Sequence, residues 1–336
     1  MRKKILFIYP NYSSFVKTDF EILSLKHEVI KYQFKTVKGL FKTGVEMLKQ
    51  FVYLLFNFWK FDSVFIWFAD YHSFLPVVFA RVLNKKSFVV IGGFDVARIP
   101  SLKYGVFVSK IRGFCAIFSM NNCTTNLTVS NYVDRKVRWI AKKSTTRMIY
   151  NCVNISDSES EEIVKENLII TVGLINSEKT FLLKGIDTFI EVAKLLPGYQ
   201  FGIIGINENA VKNLLQNIPI NLTLIGQTNH KNLVQYYKRA KVYCQFSRSE
   251  SFGVSIVEAI NFGCIPVVTN VGGMPEIVEN AGFVAERNIL NISKIIQEIA
   301  YNKNENYFAH AQKQLIRFSF QERERSILES VYLVPE

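Results

Sequence analysis

Ser247-Arg-Ser-Glu-Ser-Phe-Gly-Val-Ser-Ile-Val-Glu-Ala-Ile-Asn-Phe-Gly-Cys-Ile-Pro-Val-Val-Thr-Asn-Val-Gly-Gly-Met-Pro-Glu-Ile-Val278 follows a β-branched run, opens a helix at about Phe252–Gly253, and leads through Gly263 and Pro266 into another strand. A helix start offers unpaired backbone N–H groups, and Gly253 lets a ligand come close to the backbone, so this turn suits an anion such as a diphosphate. Glu250 stands just before the helix and Glu258 within it. A carboxylate repels phosphate, and its natural partners beside one are sugar or ribose hydroxyl donors. The same residues also fit a plainer reading, in which Ser255-x-x-Glu258 is a capping box and Glu250 a solvated loop acid.

Outward from this stretch, short β-branched and aromatic runs alternate with longer amphipathic ones, the pattern of a parallel sheet covered by helices. In the second half, strands are expected at Leu168–Gly173, Tyr199–Gly205, Leu222–Ile225, Val242–Phe246 and Pro266–Thr269. Helices are expected at Lys184–Leu195, Ala210–Asn217, Asn232–Arg239, Gly253–Phe262 and Met274–Asn280. The first half reads as strands Lys4–Tyr9, Glu28–Gln33, Ser63–Phe68, Ser87–Ile91 and Asn126–Val129, with helices at about Lys38–Trp59, Phe74–Leu83 and Val106–Met120. The polar, aperiodic stretch Ser156–Glu162 is the linker candidate. A length of 336 residues favours two domains. The expected architecture is therefore α/β, two Rossmann-like doubly wound halves whose strand ends face a cleft.

The Glu250–Glu258 pair within Ser-Glu-Ser-Phe-Gly…Glu-Ala…Gly-Cys-Ile-Pro-Val-Val…Gly-Gly-Met-Pro-Glu-Ile-Val resembles the signature of the family-4-type (group 1) retaining glycosyltransferases, over some thirty residues. Val172-Gly173 with Leu183-Lys184-Gly185-Ile186-Asp187 resembles that family's diphosphate-binding strand and lysine. Val129-Ser130 and Tyr150-Asn151-Cys152-Val153-Asn154 resemble the motifs closing its first domain, and Phe318-Ser319-Phe320 with Tyr332 its C-terminal helix. The resemblance implies the GT-B fold, with an acceptor-binding domain at 1–155, a nucleotide-sugar-binding domain at 156–312 and a helix at 313–336 crossing back. It implies that Glu250 contacts the donor sugar near the reacting carbon and that Phe252, Gly253 and Val254 offer N–H groups. Glu258 would bind the ribose, Lys184 would neutralise the diphosphate, and Gly173 would lie beside it. No metal and no cofactor besides the nucleoside diphosphate sugar are expected.

The family usually carries an arginine where Leu174 stands, and Lys179 and Arg248 are the candidates to replace it. The loop Tyr9–Ser13 lacks the paired glycines often found there. They occur instead at Gly92-Gly93-Phe94-Asp95, where Asp95 is a candidate for an acceptor hydroxyl or, equally, a tight-turn cap. His72, after another strand, is a candidate acid/base or a packing residue.

Charge is uneven: residues 1 to 150 hold 24 Lys/Arg against 8 Asp/Glu, and the remainder 17 against 20. Such a field calls for an anionic partner. Lys38–Lys60 mixes lysines with Leu, Phe, Tyr and Trp at helical spacing, as an interfacial helix or a core-packed helix with solvated lysines would. An anionic membrane surface and a glycan or polyprenyl-linked acceptor are thus expected partners, and the location cytoplasmic, peripheral on the inner face of the membrane. Nucleic acid is not expected, because no recognition motif accompanies the charge. The start, Met1–Tyr9, reads as a buried first strand rather than a secretory segment, and the run Phe51–Trp59 is too short to span a bilayer. Five cysteines without CxxC spacing suggest neither a disulfide framework nor a zinc site. Two rivals share this architecture: a nucleotide-sugar 2-epimerase, against which the glutamate pair argues, and a non-catalytic nucleotide-sugar-binding relative. Base and sugar identity depend on loops near Gly205, Gly226 and Gln227.

Overall fold

The computed structural model describes residues 2–153, 165–301 and 305–332; the linker candidate Ser156–Glu162 lies outside them. Two compact units divide the chain, Met1–Asn151 with Gln321–Glu336, and Cys152–Phe320.

In the first unit the strands are β1 (Lys4–Tyr9), β2 (Glu28–Gln33), β3 (Ser63–Trp67), β4 (Lys86–Ile91), β5 (Thr125–Thr128) and β6 (Thr146–Met148), ordered β2-β1-β3-β4-β5-β6. All pair in parallel. β1, β3 and β4 are buried almost throughout, as strands covered on both faces must be. The helices are α1 (Ser14–Lys26), α2 (Leu40–Asn57), α3 (Tyr71–Val82), α4 (Lys110–Asn122) and α5 (Asn131–Ile140). Three of these elements escaped the sequence reading. The periodicity of α1 is weak, α5 is short and mostly polar, and β6 has three half-buried residues.

The second unit holds β7 (Glu166–Ile175), β8 (Gln200–Ile206), β9 (Leu222–Ile225), β10 (Ala240–Gln245), β11 (Ile265–Thr269) and β12 (Phe283–Ala285), again parallel, in the order β12-β11-β10-β7-β8-β9. Around them lie α6 (Glu178–Lys184), α7 (Ile186–Leu195), α8 (Glu208–Val211), α9 (His230–Arg239), α10 (Val254–Asn261), α11 (Met274–Val278), α12 (Ile289–Tyr301) and α13 (Glu305–Arg317). Its core joins Ile169, Phe189, Phe201, Ile203, Val242 and Val267. The single helix expected over Lys184–Leu195 is two, broken at Gly185. That residue has φ 71°, and a Cβ there would stand 1.9 Å from the Phe246 carbonyl oxygen. Lys184 therefore ends α6 rather than opening the helix that follows.

A last helix, α14 (Phe320–Tyr332), carries the chain back into the first unit. There the Arg323 guanidinium donates to both carboxylate oxygens of Asp19, at 2.6 and 2.7 Å and out of solvent, and to the carbonyl of Tyr150 at 2.5 Å.

Candidate active site

The second sheet grows from β7 outward through β8 and β9, then returns to place β10 on the other side of β7. That reversal is a topological switch point, where open α/β sheets bind ligands beyond the carboxyl ends of their strands. Gly173 and the loop 246–253 occupy those ends.

The loop is fixed by close backbone packing. The Arg248 N–H donates to the Leu183 carbonyl at 2.8 Å, and the Gly273 N–H to the Glu250 carbonyl at 3.1 Å. Gly272, at φ 66°, leaves no room for a side chain against that same Glu250 carbonyl. Gly253, at φ 89°, then turns the chain into α10. Phe252 is buried against Phe318, so what it can present to a ligand is backbone.

Glu250 is the centre of a short network. Its Oε2 accepts from Lys184 Nζ at 2.8 Å and from Gln245 Nε2 at 2.8 Å, and its Oε1 accepts from the Ser251 N–H at 3.2 Å. Gln245 Oε1 in turn accepts from the Tyr243 hydroxyl at 2.8 Å. The lysine stem runs 3.8 Å from where a Gly173 Cβ would be, which brings Gly173, Lys184 and Glu250 together. The Lys184 and Glu250 side chains keep 32% and 17% of their surface in solvent, so the pair remains reachable. Further along α10, Glu258 Oε2 accepts from the Tyr237 hydroxyl at 3.1 Å. Burial raises the Glu258 carboxyl above its ordinary range, opposed by the charge of His230 and by the tyrosine's hydrogen bond. Burial, and then the carboxylate charges beside them, push both Tyr237 and Tyr243 well up, so each hydroxyl stays protonated and able to donate.

The arrangement supplies an ammonium with three donors, a helix start, and two carboxylates whose partners leave acceptor capacity over. It can hold an anion at Lys184 and Gly253–Val254 while the carboxylates take hydroxyl donors.

Other expected residues lie elsewhere. Arg248 donates to both Asp187 oxygens and to the Leu182 carbonyl; burial alone would raise Asp187, but this guanidinium holds it below its ordinary value. Arg248 thus ties the loop to α6 and α7 instead of replacing the arginine missing at Leu174, whose own side chain is 62% exposed. Asp95 and His72 need correction as catalytic candidates. Asp95 is wholly buried and accepts from the backbone N–H groups of Gly93, Ala69 and Gly92 at 2.6, 3.1 and 3.3 Å. It clamps the ends of β3 and β4 together. His72 is 2% exposed, and one ring nitrogen lies 2.7 Å from the Trp67 carbonyl; burial depresses its pKa, which keeps it a neutral packing residue. Gln245, Tyr243 and Tyr237 were missed. A glutamine inside the apolar run Val242–Phe246 was the one available signal; Tyr237 gave none.

Residues 154–316 match the family model described as glycosyl transferases group 1. The chain carries a group 1 glycosyltransferase domain. Its glutamate pair lies inside that match. An uncharacterized glycosyltransferase of Haemophilus influenzae is 27% identical over 214 residues, 54% of this chain and 60% of the relative. An uncharacterized 41.2 kDa protein in the cps region of Klebsiella pneumoniae is 28% identical over 151 residues, 41% of this chain and 40% of the relative. The chain thus spans about half the length of these two relatives. Protein CapJ of Staphylococcus aureus is 24% identical over 297 residues, 81% and 72% of the two chains. Among solved structures, sucrose-phosphate synthase from Thermosynechococcus elongatus superposes with TM-score 0.76 at 16% identity, covering 99% of this chain and 98% of its own. Anabaena Alr3699/HepE in complex with UDP-glucose gives 0.76 at 16% identity, covering 99% and 100%. The glycosyltransferase domain and the unit before it have the GT-B fold.

Proposed function

We propose that the protein moves a sugar from a nucleoside diphosphate sugar, with retention of anomeric configuration, to a glycan or polyprenyl-linked acceptor in the cytoplasm, in cell-surface polysaccharide assembly. The observation that carries this reading is the Lys184–Glu250 pair beside the start of α10, with Glu258 further along the same helix. Departure of a nucleoside diphosphate develops negative charge, which a fixed ammonium and helix N–H groups stabilise in the transition state without a metal ion. Lys184 has three donors, so it can keep its bond to Glu250 and reach a phosphate as well. Glu250 then directs a hydroxyl of the transferred sugar, and Glu258 takes the ribose hydroxyls. UDP-glucose bound in HepE, and the cps-region setting of the Klebsiella relative, support the donor class and the polysaccharide setting.

The test is a thermal-shift screen against UDP, GDP, ADP, CMP and their sugars, repeated with Glu258→Ala. A ligand that binds the native state raises its melting temperature. A shift with one nucleotide family that disappears in the variant supports the reading; no shift with any of them counts against it. Proton NMR of the product's anomeric centre then tests retention.

A further inference from the structure

Helix α2 is packed the wrong way round for a soluble protein. It turns Thr43, Gln50 and Leu54 inward, with Gln50 fully buried and its amide donating to the His72 carbonyl at 3.0 Å. Apart from Leu54, its large aliphatic and phenylalanine side chains face out. Phe41 is 85% exposed, and Leu48, Val52, Leu55 and Phe56 lie open along the same helix. Phe41, Val45, Leu48, Val52 and Leu55 follow one another at four- and three-residue steps, which puts them in a single stripe. Trp59, 68% exposed, continues that step just past the helix end. A large contiguous exposed apolar stripe on a folded domain marks an interaction surface.

Two occupants fit a stripe of this spacing, a second copy of the helix or a lipid surface. Charge separates them. Between residues 30 and 61 there are six lysines and one acid, Glu46, and that acid pairs with Lys49 at 2.7 Å. Lys38 and Lys42 are exposed at the start of the stripe, and Lys60 at its end, beside Trp59. A twofold pairing would bring two such lysine sets together, whereas phosphate headgroups would neutralise them while acyl chains receive the apolar side chains. Among the described residues no helix is long and apolar enough to cross a membrane, so the helix would lie in the interface rather than span it.

We infer that α2 with Trp59 is a membrane-docking face that inserts its outward stripe into a bilayer rich in anionic phospholipid. The inference stands on the packing of α2 and its lysines, and does not depend on the activity proposed above.

The experiment is cosedimentation of the full chain with phosphatidylcholine vesicles and with phosphatidylcholine–phosphatidylglycerol vesicles, at low and high salt, alongside sedimentation velocity without lipid. Binding should favour the anionic vesicles and weaken with salt. Leu48→Asp and Val52→Asp should each lower partitioning by about tenfold or more, since each withdraws a leucine-sized burial from the lipid. Their melting temperatures should stay near the parent's, because both side chains are exposed. Trp59 emission should shift to the blue with anionic vesicles, a change that Trp59→Phe removes. Absence of vesicle binding, or binding untouched by these variants, would overturn the inference. A dimer that Leu48→Asp dissolves, with no lipid binding, would also overturn it and assign the stripe to a second copy.

Discussion

Gln245 Nε2 donates to Glu250 Oε2 at 2.8 Å, the same oxygen that Lys184 holds at 2.8 Å. The glutamine is buried at the end of β10, and its other amide atom is engaged by the Tyr243 hydroxyl. Glu250 is therefore aimed from the end of β10 as well as by Lys184 at the end of α6. Gln245→Leu removes that aim and takes the acceptor from the buried tyrosine O–H, which should destabilise the fold by about 1–3 kcal/mol. Turnover should fall by about tenfold to a hundredfold with KM little changed, as misplacement of a reacting group does. Adding Tyr243→Phe should restore much of the stability and none of the turnover. If the two stability losses simply add, the chain of hydrogen bonds is not a unit.

Lys184 makes a second, separable contribution. If it meets the diphosphate, Lys184→Met should weaken nucleoside diphosphate binding by about tenfold to a hundredfold, the range of a charge-assisted hydrogen bond. Binding of the bare nucleoside should not change. Calorimetric titration with both ligands decides it, since an equal loss for both would mean that the variant has disturbed the pocket rather than a phosphate contact.

The parallel sheets were legible because β1, β3, β4, β8 and β11 are nearly continuous apolar runs between turn residues, and the candidate site because Glu250, Gly253 and Glu258 fall within one uninterrupted stretch. What could not be read was how side chains share partners across elements. Arg248 meets Asp187 across sixty-one positions, a pairing that spacing alone does not encode. Asp95 and His72 looked chemical because carboxylates and imidazoles do chemistry, yet three backbone N–H groups and one carbonyl claim them. The break at Gly185 is likewise tertiary, being set by the Phe246 carbonyl in a distant loop.

Tyr237 bears on Glu258 as Gln245 does on Glu250. Its hydroxyl stabilises the ionised carboxylate, which burial disfavours. Tyr237→Phe should raise the Glu258 pKa further, so that the ionised acceptor forms only at higher pH. Nucleotide affinity measured across pH should then begin its acid-side fall at a higher pH than in the parent. Superimposable pH profiles would show that the hydroxyl serves packing alone.

Asp95 gives a stability signature. Burial raises its carboxyl from 3.8 to about 7, against the pull of the backbone N–H groups of Ala69, Gly93, Gly92 and Asp95 itself. A raised folded-state pKa contributes stability that is full below the unfolded value and is lost as pH rises through the folded one. The contribution of Asp95 should therefore decline between about pH 4 and 7. Asp95→Asn should flatten that slope in a melting-temperature series, and should lower stability overall by about 1–3 kcal/mol, because an amide nitrogen would face backbone donors. Parallel pH curves for parent and variant would show that Asp95 is already ionised throughout.

The return of α14 should be needed for the first unit to fold. Arg323 and Asp19 are both essentially out of solvent, and the guanidinium also meets the carbonyls of Ile149 and Tyr150, at the end of the segment leaving β6. Removing one member of such a pair leaves an uncompensated buried charge, so Arg323→Met should destabilise by about 3–5 kcal/mol. Replacing both, as Asp19→Leu with Arg323→Met, should be milder than Arg323→Met alone, because no charge is then stranded. Chemical denaturation of the three proteins measures this directly. If the double variant proves the least stable, the pair contributes more through its hydrogen bonds to the chain than its desolvation withdraws, and α14 is held mainly by polar contacts rather than by the packing of Ile327 and Val331.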